Sequence, residues 1–257
     1  MTRRLIILLF SLSPLIFSTC KEKSNVDPNP CNTIISEFDS TFGISYQTPS
    51  LFLIPGDQSS LDTVYIQEIF NSLGTIDTTL LGVRKISNWV NTHFTFVNAG
   101  GANIGKISAN ELYQRKEIYG CHSAALMIST VLRLYEFPAL LVETASVKWA
   151  YDHKSGTSQG YVGHVMSEVY VDGHWILLDN NGTYVDNYNP LNPYISTDQS
   201  GLCDAAPFGL FVIAKGVDSW DYGVHSNEDT KIIMDIFANN VFCFEPMFYT
   251  TSYVWAP

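Results

Sequence analysis

Three residue types in this chain could carry out acyl chemistry together: Cys121, His164 and Asp179. A thiolate attacks carbonyl carbon. An imidazole can take the thiol's proton and hand it to a leaving amine. A carboxylate can fix the imidazole's tautomer and stabilise its cation. The reaction class this implies is cleavage of an amide bond through an acyl-enzyme. Taken singly, each residue has a plain structural explanation: a small buried thiol, a satisfied strand histidine, a turn-forming aspartate. Their order and register must therefore carry the argument.

The cysteine is placed by a helix. Cys121, Ala124, Ala125, Ile128, Val131, Leu132 and Tyr135 recur at helical spacing, which predicts a helix from Cys121 to about Tyr135 with Cys121 on the buried stripe of its first turn. A helix N-terminus offers free N–H groups and partial positive charge, which favour a thiolate and could hold an oxyanion. Gly120 lets the backbone come close just before it. Tyr119 is a candidate border of the oxyanion site or a packing residue, and His122, about 100° further round the helix, reads as structural.

A hairpin places the other two. His164 to Val171 alternates in polarity, Asp172-Gly173 signals a type I′ turn, and His174 to Asp179 returns. A two-residue loop pairs Val171 with His174, so Met166 faces Asp179 and His164 lies one diagonal step from Asp179 on the same face. Diagonal neighbours are roughly 7–8 Å apart at the backbone, within reach of an imidazole and a carboxylate. His174 falls on the opposite face. Glu168 shares the face of His164 and is a candidate to support it, or a paired surface carboxylate.

These stretches resemble the core of the transglutaminase-like superfamily from Ile107 to Gly182. Arg115-Lys116-Glu117-Ile118-Tyr119-Gly120-Cys121-His122-Ser123-Ala124-Ala125 is similar to its nucleophile segment. Leu132-Arg133-Leu134-Tyr135-Glu136-Phe137-Pro138-Ala139 is similar to its helix exit. Gly163-His164-Val165-Met166-Ser167-Glu168-Val169 and Gly173-His174-Trp175-Ile176-Leu177-Leu178-Asp179 are similar to its histidine and aspartate strands. Met166 stands where the family often has an aromatic residue, and Asn180 where it often has proline. The resemblance implies a papain-like, α+β thiol-enzyme core with a Cys-His-Asp triad; calcium, which some relatives use, has no identifiable acidic loop here, and no cofactor is expected. The superfamily includes cross-linkers, peptidases, peptide N-glycanases and members that have lost catalysis.

Around that core, Ser59 or Ser60 is expected to cap a helix carrying Leu61, Val64, Tyr65, Ile69 and Leu73 that stops at Gly74. Asp77 or Thr78 is expected to cap the next, with Leu81, Val83, Ile86, Trp89 and Val90. Phe94 to Gly105 reads as a loop. Ser108-Ala109-Asn110-Glu111 is a capping box opening a short helix through Lys116. Ala139 to Val142 is an expected strand, residues 148 to 160 a loop, Asn180 to Pro193 irregular, and Leu210 to Ala214 a strand; the last forty residues give no clear signal. Helices followed by strands predict an α+β domain, N-terminal helices on an antiparallel sheet.

The ends of the chain speak to location. Arg3 and Arg4, the apolar run to Phe17, and Phe17-Ser18-Thr19-Cys20 have the form of a bacterial lipoprotein signal over residues 1–19, with Cys20 the lipidated residue. Residues 20–58 are then a polar, proline-containing tether and an irregular lead-in, and 59–257 the transglutaminase-like domain. The expected localisation is the bacterial cell envelope, anchored by lipid on the periplasmic or surface face. Net charge of −11 and no basic run after the leader argue against a nucleic-acid partner. Five cysteines without a C-x-x-C pair signal no zinc ribbon, and Cys121, His122, His153 and His164 lack ligand spacing, so no metal is expected. Cys31, Cys203 and Cys243 leave room for one disulfide or three free thiols.

The reading that follows is an extracytoplasmic peptidase or amidase, or an acyltransferase, acting on a protein, peptide or other amide. The alternative is a binding module on the same fold without catalysis.

Overall fold

The computed structural model describes residues 42–158, 160–197, 206, 208–240, 253 and 255–256. Cys20, Cys31, Cys203 and Cys243 lie outside them, and so do the expected signal segment, the lipidation site, the start of the tether and any disulfide among those thiols. Among the described residues no helix is long and apolar enough to cross a membrane.

The helices come first. α1 spans Thr63–Leu73 and α2 spans Leu80–His93. Their starts differ from expectation. Asp62 and Thr79 occupy the N-cap positions, because Ser59 instead gives its N–H and hydroxyl to the Asp218 carboxylate, and Asp77 accepts from the Thr79 N–H. Val64 and Leu81, expected on the buried stripes, face solvent, while Ile69, Leu73, Val83, Ile86 and Val90 are buried. The stretch from Phe94 is not wholly loop: β1 (Thr95–Phe96) pairs in parallel with β2 (Glu117–Ile118). Between them α3 (Ala109–Arg115) opens on the Ser108–Glu111 capping box, both bonds being made.

The central helix α4 runs Cys121–Leu134 and is buried on nearly every side, by α2, by α3 and by the sheet. Ala125, Ile128, Val131 and Leu132 share one core with Leu141, Val165, Val169, Ile176 and Leu178. Truncating such a side chain, Ile128 for example, costs about 2–5 kcal/mol. Arg133 ties the end of the helix down: its buried guanidinium donates to the carbonyls of Phe52, Ala139 and Val217.

The sheet is α4's platform. β3 (Ala139–Ser146), β4 (Gly163–Val171), β5 (His174–Leu178), β6 (Tyr184–Val185), β7 (Tyr194–Ile195), β8 (Leu210–Gly216) and β9 (Trp255–Ala256) form one seven-stranded sheet in the order β7-β8-β3-β4-β5-β6-β9, antiparallel throughout. The hairpin register is the expected one: Val171 pairs with His174 and Ser167 with Leu178, and Asp172 and Gly173 both have positive φ. Val142, Met166 and Leu177 face away from α4, toward Tyr188, Tyr253 and Trp255. Residues 42–58, read as a lead-in, also pack against the sheet, Phe52 and Tyr46 beside Trp175.

Part of the expected loop at 148–160 is helical. α5 (Val147–Lys154) is capped by Ser146, whose hydroxyl accepts from the Trp149 N–H, and it buries Trp149 and Ala150 against Met234, Phe237 and Ala238 of α6 (Asn227–Asn240). This burial across a long sequence gap outweighs the polar local composition. The fold is α+β, with N-terminal helices on an antiparallel sheet.

Candidate active site

Cys121 is the first residue of α4. Gly120 before it has φ 120° and ψ −171°, a conformation an L side chain rarely adopts, and no side chain caps the helix there. The turn is held from inside: the Ser123 hydroxyl accepts from the Tyr119 N–H at 2.7 Å and donates to the Gly120 carbonyl at 3.3 Å. The helix therefore presents its N-terminus beside the thiol.

His164 lies near the start of β4, opposite Thr144. Thr144 brackets its backbone, its hydroxyl donating to the His164 carbonyl at 2.7 Å and accepting from the His164 N–H at 3.2 Å. Gly163 must be glycine, since a Cβ there would sit 2.2 Å from the Thr144 carbonyl oxygen. Asp179 leaves the end of β5 in a tight turn, its N–H donating to the Thr183 carbonyl and its carbonyl accepting from the Gly182 N–H.

Nε2 of His164 meets Oδ1 of Asp179 at 2.7 Å, and the Cys121 side chain lines the same cleft as the imidazole. With Nε2 held by the carboxylate, Nδ1 is the nitrogen left for sulfur. Burial opposes charge on the ring, but Asp179 and Cys121 outweigh it and raise His164 from 6.5 to about 10. The ring is an imidazolium through the neutral range. Glu143, opposite Val165 on β3, adds a buried carboxyl nearby: burial pushes it up to about 7, the Tyr222 hydroxyl donates to it, and attraction to His164 works the other way.

The three groups open on a cleft of about 360 Å³. Val90, Phe94, Phe96 and Ile118 make an apolar wall, and Asn91, Asn180 and Asn181 complete the lining. His164 and Asp179 are the charged side chains that line it. The cleft can take a neutral acyl group beside the thiol.

Other sequence candidates fall elsewhere. Tyr119 turns its hydroxyl to Glu117 and Arg115 and does not line the cleft. Glu168 neither supports His164 nor lies on the surface: it is fully buried in a bond to Lys215 at 2.6 Å, with Tyr46 and Tyr188 also donating to it. His122 is buried, its pKa lowered to about 4 by burial, hence a neutral core residue. His174 pairs with Asp186 at the surface, and His153 stacks on Trp149. Sequence reasoning missed Phe96, because a two-residue strand has no readable period. It also passed over Asn180 as a mere departure, although an amide directly after a strand-ending aspartate was a signal to follow.

The transglutaminase-like superfamily model matches residues 68–180, a span containing Cys121, His164 and Asp179. Among solved structures, a Cytophaga hutchinsonii protein described as a "putative cysteine protease" aligns over 70% of this chain and 50% of its own, at 19% identity and TM-score 0.47. The chain thus spans about half the length of that neighbour. No curated protein matches it.

Proposed function

Since residues 68–180 match the transglutaminase-like superfamily model, we propose that the chain is a thiol enzyme acting on amide bonds, with Cys121 as nucleophile, His164 as proton carrier and Asp179 as its orienting acid. The observation that carries this reading is the convergence of Cys121 and the hydrogen-bonded His164–Asp179 pair on one cleft.

The steps follow from the geometry. The Cys121 thiolate adds to the carbonyl carbon, forming a C–S bond and moving the π pair to oxygen, where N–H groups at the start of α4 stabilise it. As the pair returns, the C–N bond breaks and His164 gives its proton to the leaving amine. A thioester on Cys121 remains. Water resolves it in a peptidase or amidase, and an amine in an acyltransferase; His164 takes a proton from either one as it adds to the thioester carbon, the C–S bond then breaks, and the thiolate–imidazolium pair is restored. The acyl donor is a protein, peptide or other amide.

The test compares the protein with its Cys121→Ala variant on a mixed peptide-amide substrate, following released amine and the mass of any acyl adduct on Cys121. We expect turnover and an adduct in the parent, both lost in the variant, with the melting temperature kept within a few degrees. If the parent gives neither turnover nor adduct, the domain is a binding module on this fold.

The same reading places the enzyme in a bacterial cell envelope, tethered through a lipid on Cys20; the Phe17-Ser18-Thr19-Cys20 run supports it. A fatty-acid analogue fed to expressing cells should label the parent and not Cys20→Ala. A mature chain starting at another residue would exclude the anchor.

A further inference from the structure

We propose that Asn180 is a positioning residue that holds the nucleophile helix in register with the histidine strand; the inference rests on the thiol-enzyme reading. Its side-chain amide spends both donors on main-chain carbonyls: Nδ2 reaches the Cys121 carbonyl at 3.1 Å and the Val165 carbonyl at 2.9 Å. The first belongs to the nucleophile, the second to the residue after His164. Its own backbone N–H donates to Asp179 Oδ1 at 2.7 Å, the oxygen that His164 also meets. One residue thus touches the nucleophile, the strand of the base and the acid.

The amide's orientation is fixed by chemistry. Exchanging Oδ1 and Nδ2 would aim an acceptor at two carbonyls, and only the donor arrangement is favourable. Oδ1 meanwhile lies buried without a partner. A buried acceptor left unsatisfied is costly, which marks the site as one where the two donor bonds outweigh that cost. The residue is anchored from behind as well: Asn91 of α2 donates to the Asn180 carbonyl at 2.7 Å. Elsewhere Cys121 and His164 are held by separate elements, α4 through the Ser123 turn and β4 through Thr144. Asn180 bridges the two directly. Proline, which the superfamily often has at this position, offers neither the side-chain donors nor the backbone N–H.

The experiment measures iodoacetamide alkylation of Cys121 against pH, read on the Cys121 peptide by mass, in the parent, Asn180→Ala and Asn180→Asp. Alanine removes both donors. Aspartate keeps the shape but turns an acceptor toward the carbonyls. A misplacement of about 1 Å costs on the order of 100-fold in rate. We expect the acid-range alkylation to fall by about that factor in both variants, more in Asn180→Asp, while the alkaline limb and the melting transition persist. Acid-range alkylation kept in either variant would overturn the proposal. So would loss of the melting transition in Asn180→Ala, since the amide would then be a tie for the whole fold. If the parent itself has no acid-range alkylation, the thiol-enzyme reading fails first, and the comparison separates the two failures.

Discussion

Two charge pairs start from β4, four residues apart. His164 meets Asp179 at the rim of the sheet, at 2.7 Å, and Glu168 meets Lys215 in its interior, at 2.6 Å. Distance does not tell them apart, but exposure and saturation do: the His164 side chain is 16% exposed, and neither Glu168 nor Lys215 is exposed at all. Glu168 also accepts from the Tyr46 and Tyr188 hydroxyls, and the Lys215 ammonium donates to the Tyr46 hydroxyl and the Pro190 carbonyl as well as to Glu168. Every partner there is protein, and desolvation holds both tyrosines protonated, with Glu168 adding to it. The His164 pair instead spends one ring nitrogen on the acid and turns the other to a thiol on an open cleft. A closed network can only hold the lead-in segment, β4, β8 and the 188–190 loop together. A network with one free valency at a cleft can move a proton.

The sharpest break between the pairs is in rate. Asp179→Asn keeps the shape but removes the anionic acceptor for His164, and it should lower turnover by about 10²–10⁴-fold with little change in stability. Steady-state kinetics and a melting curve on one sample check both halves. Unchanged turnover would make Asp179 as passive as Glu168.

The interior pair should respond in the opposite way. Glu168→Ala leaves a buried ammonium without its counter-charge, and losing one partner of a buried pair costs about 3–5 kcal/mol. Denaturant unfolding should show that loss, while turnover per folded molecule stays at the parent value. Glu168→Leu with Lys215→Met should recover much of the stability, since an apolar pair needs no desolvation. A drop in turnover with unchanged stability would move Glu168 into the reaction and dissolve the contrast.

How much of this was legible in the sequence depends on distance along the chain. The register of the β4–β5 hairpin follows from two turn residues, Asp172 and Gly173, so the approach of His164 to Asp179 could be read from counting alone. The start of α4 at Cys121 was equally local. Glu168 could not be read, because Tyr46, Tyr188 and Lys215 come from positions 122, 20 and 47 residues away. Nor could α5, whose polar stretch is made helical by burial of Trp149 against a helix near the end of the chain. Face-sharing along β4 groups His164 with Glu168 in the sequence, but what each meets is set by other elements.

The account's central claim is that Cys121 and His164 form a thiolate–imidazolium pair held by Asp179, with His164 keeping its proton up to about 10. The most direct test is the rate of Cys121 alkylation by iodoacetamide as a function of pH in the parent and in His164→Ala. In the parent, alkylation should extend into the acid range, and His164→Ala should remove that limb. Alkylation confined to alkaline pH in the parent, with His164→Ala altering only stability, would contradict the claim and leave the three residues as core packing.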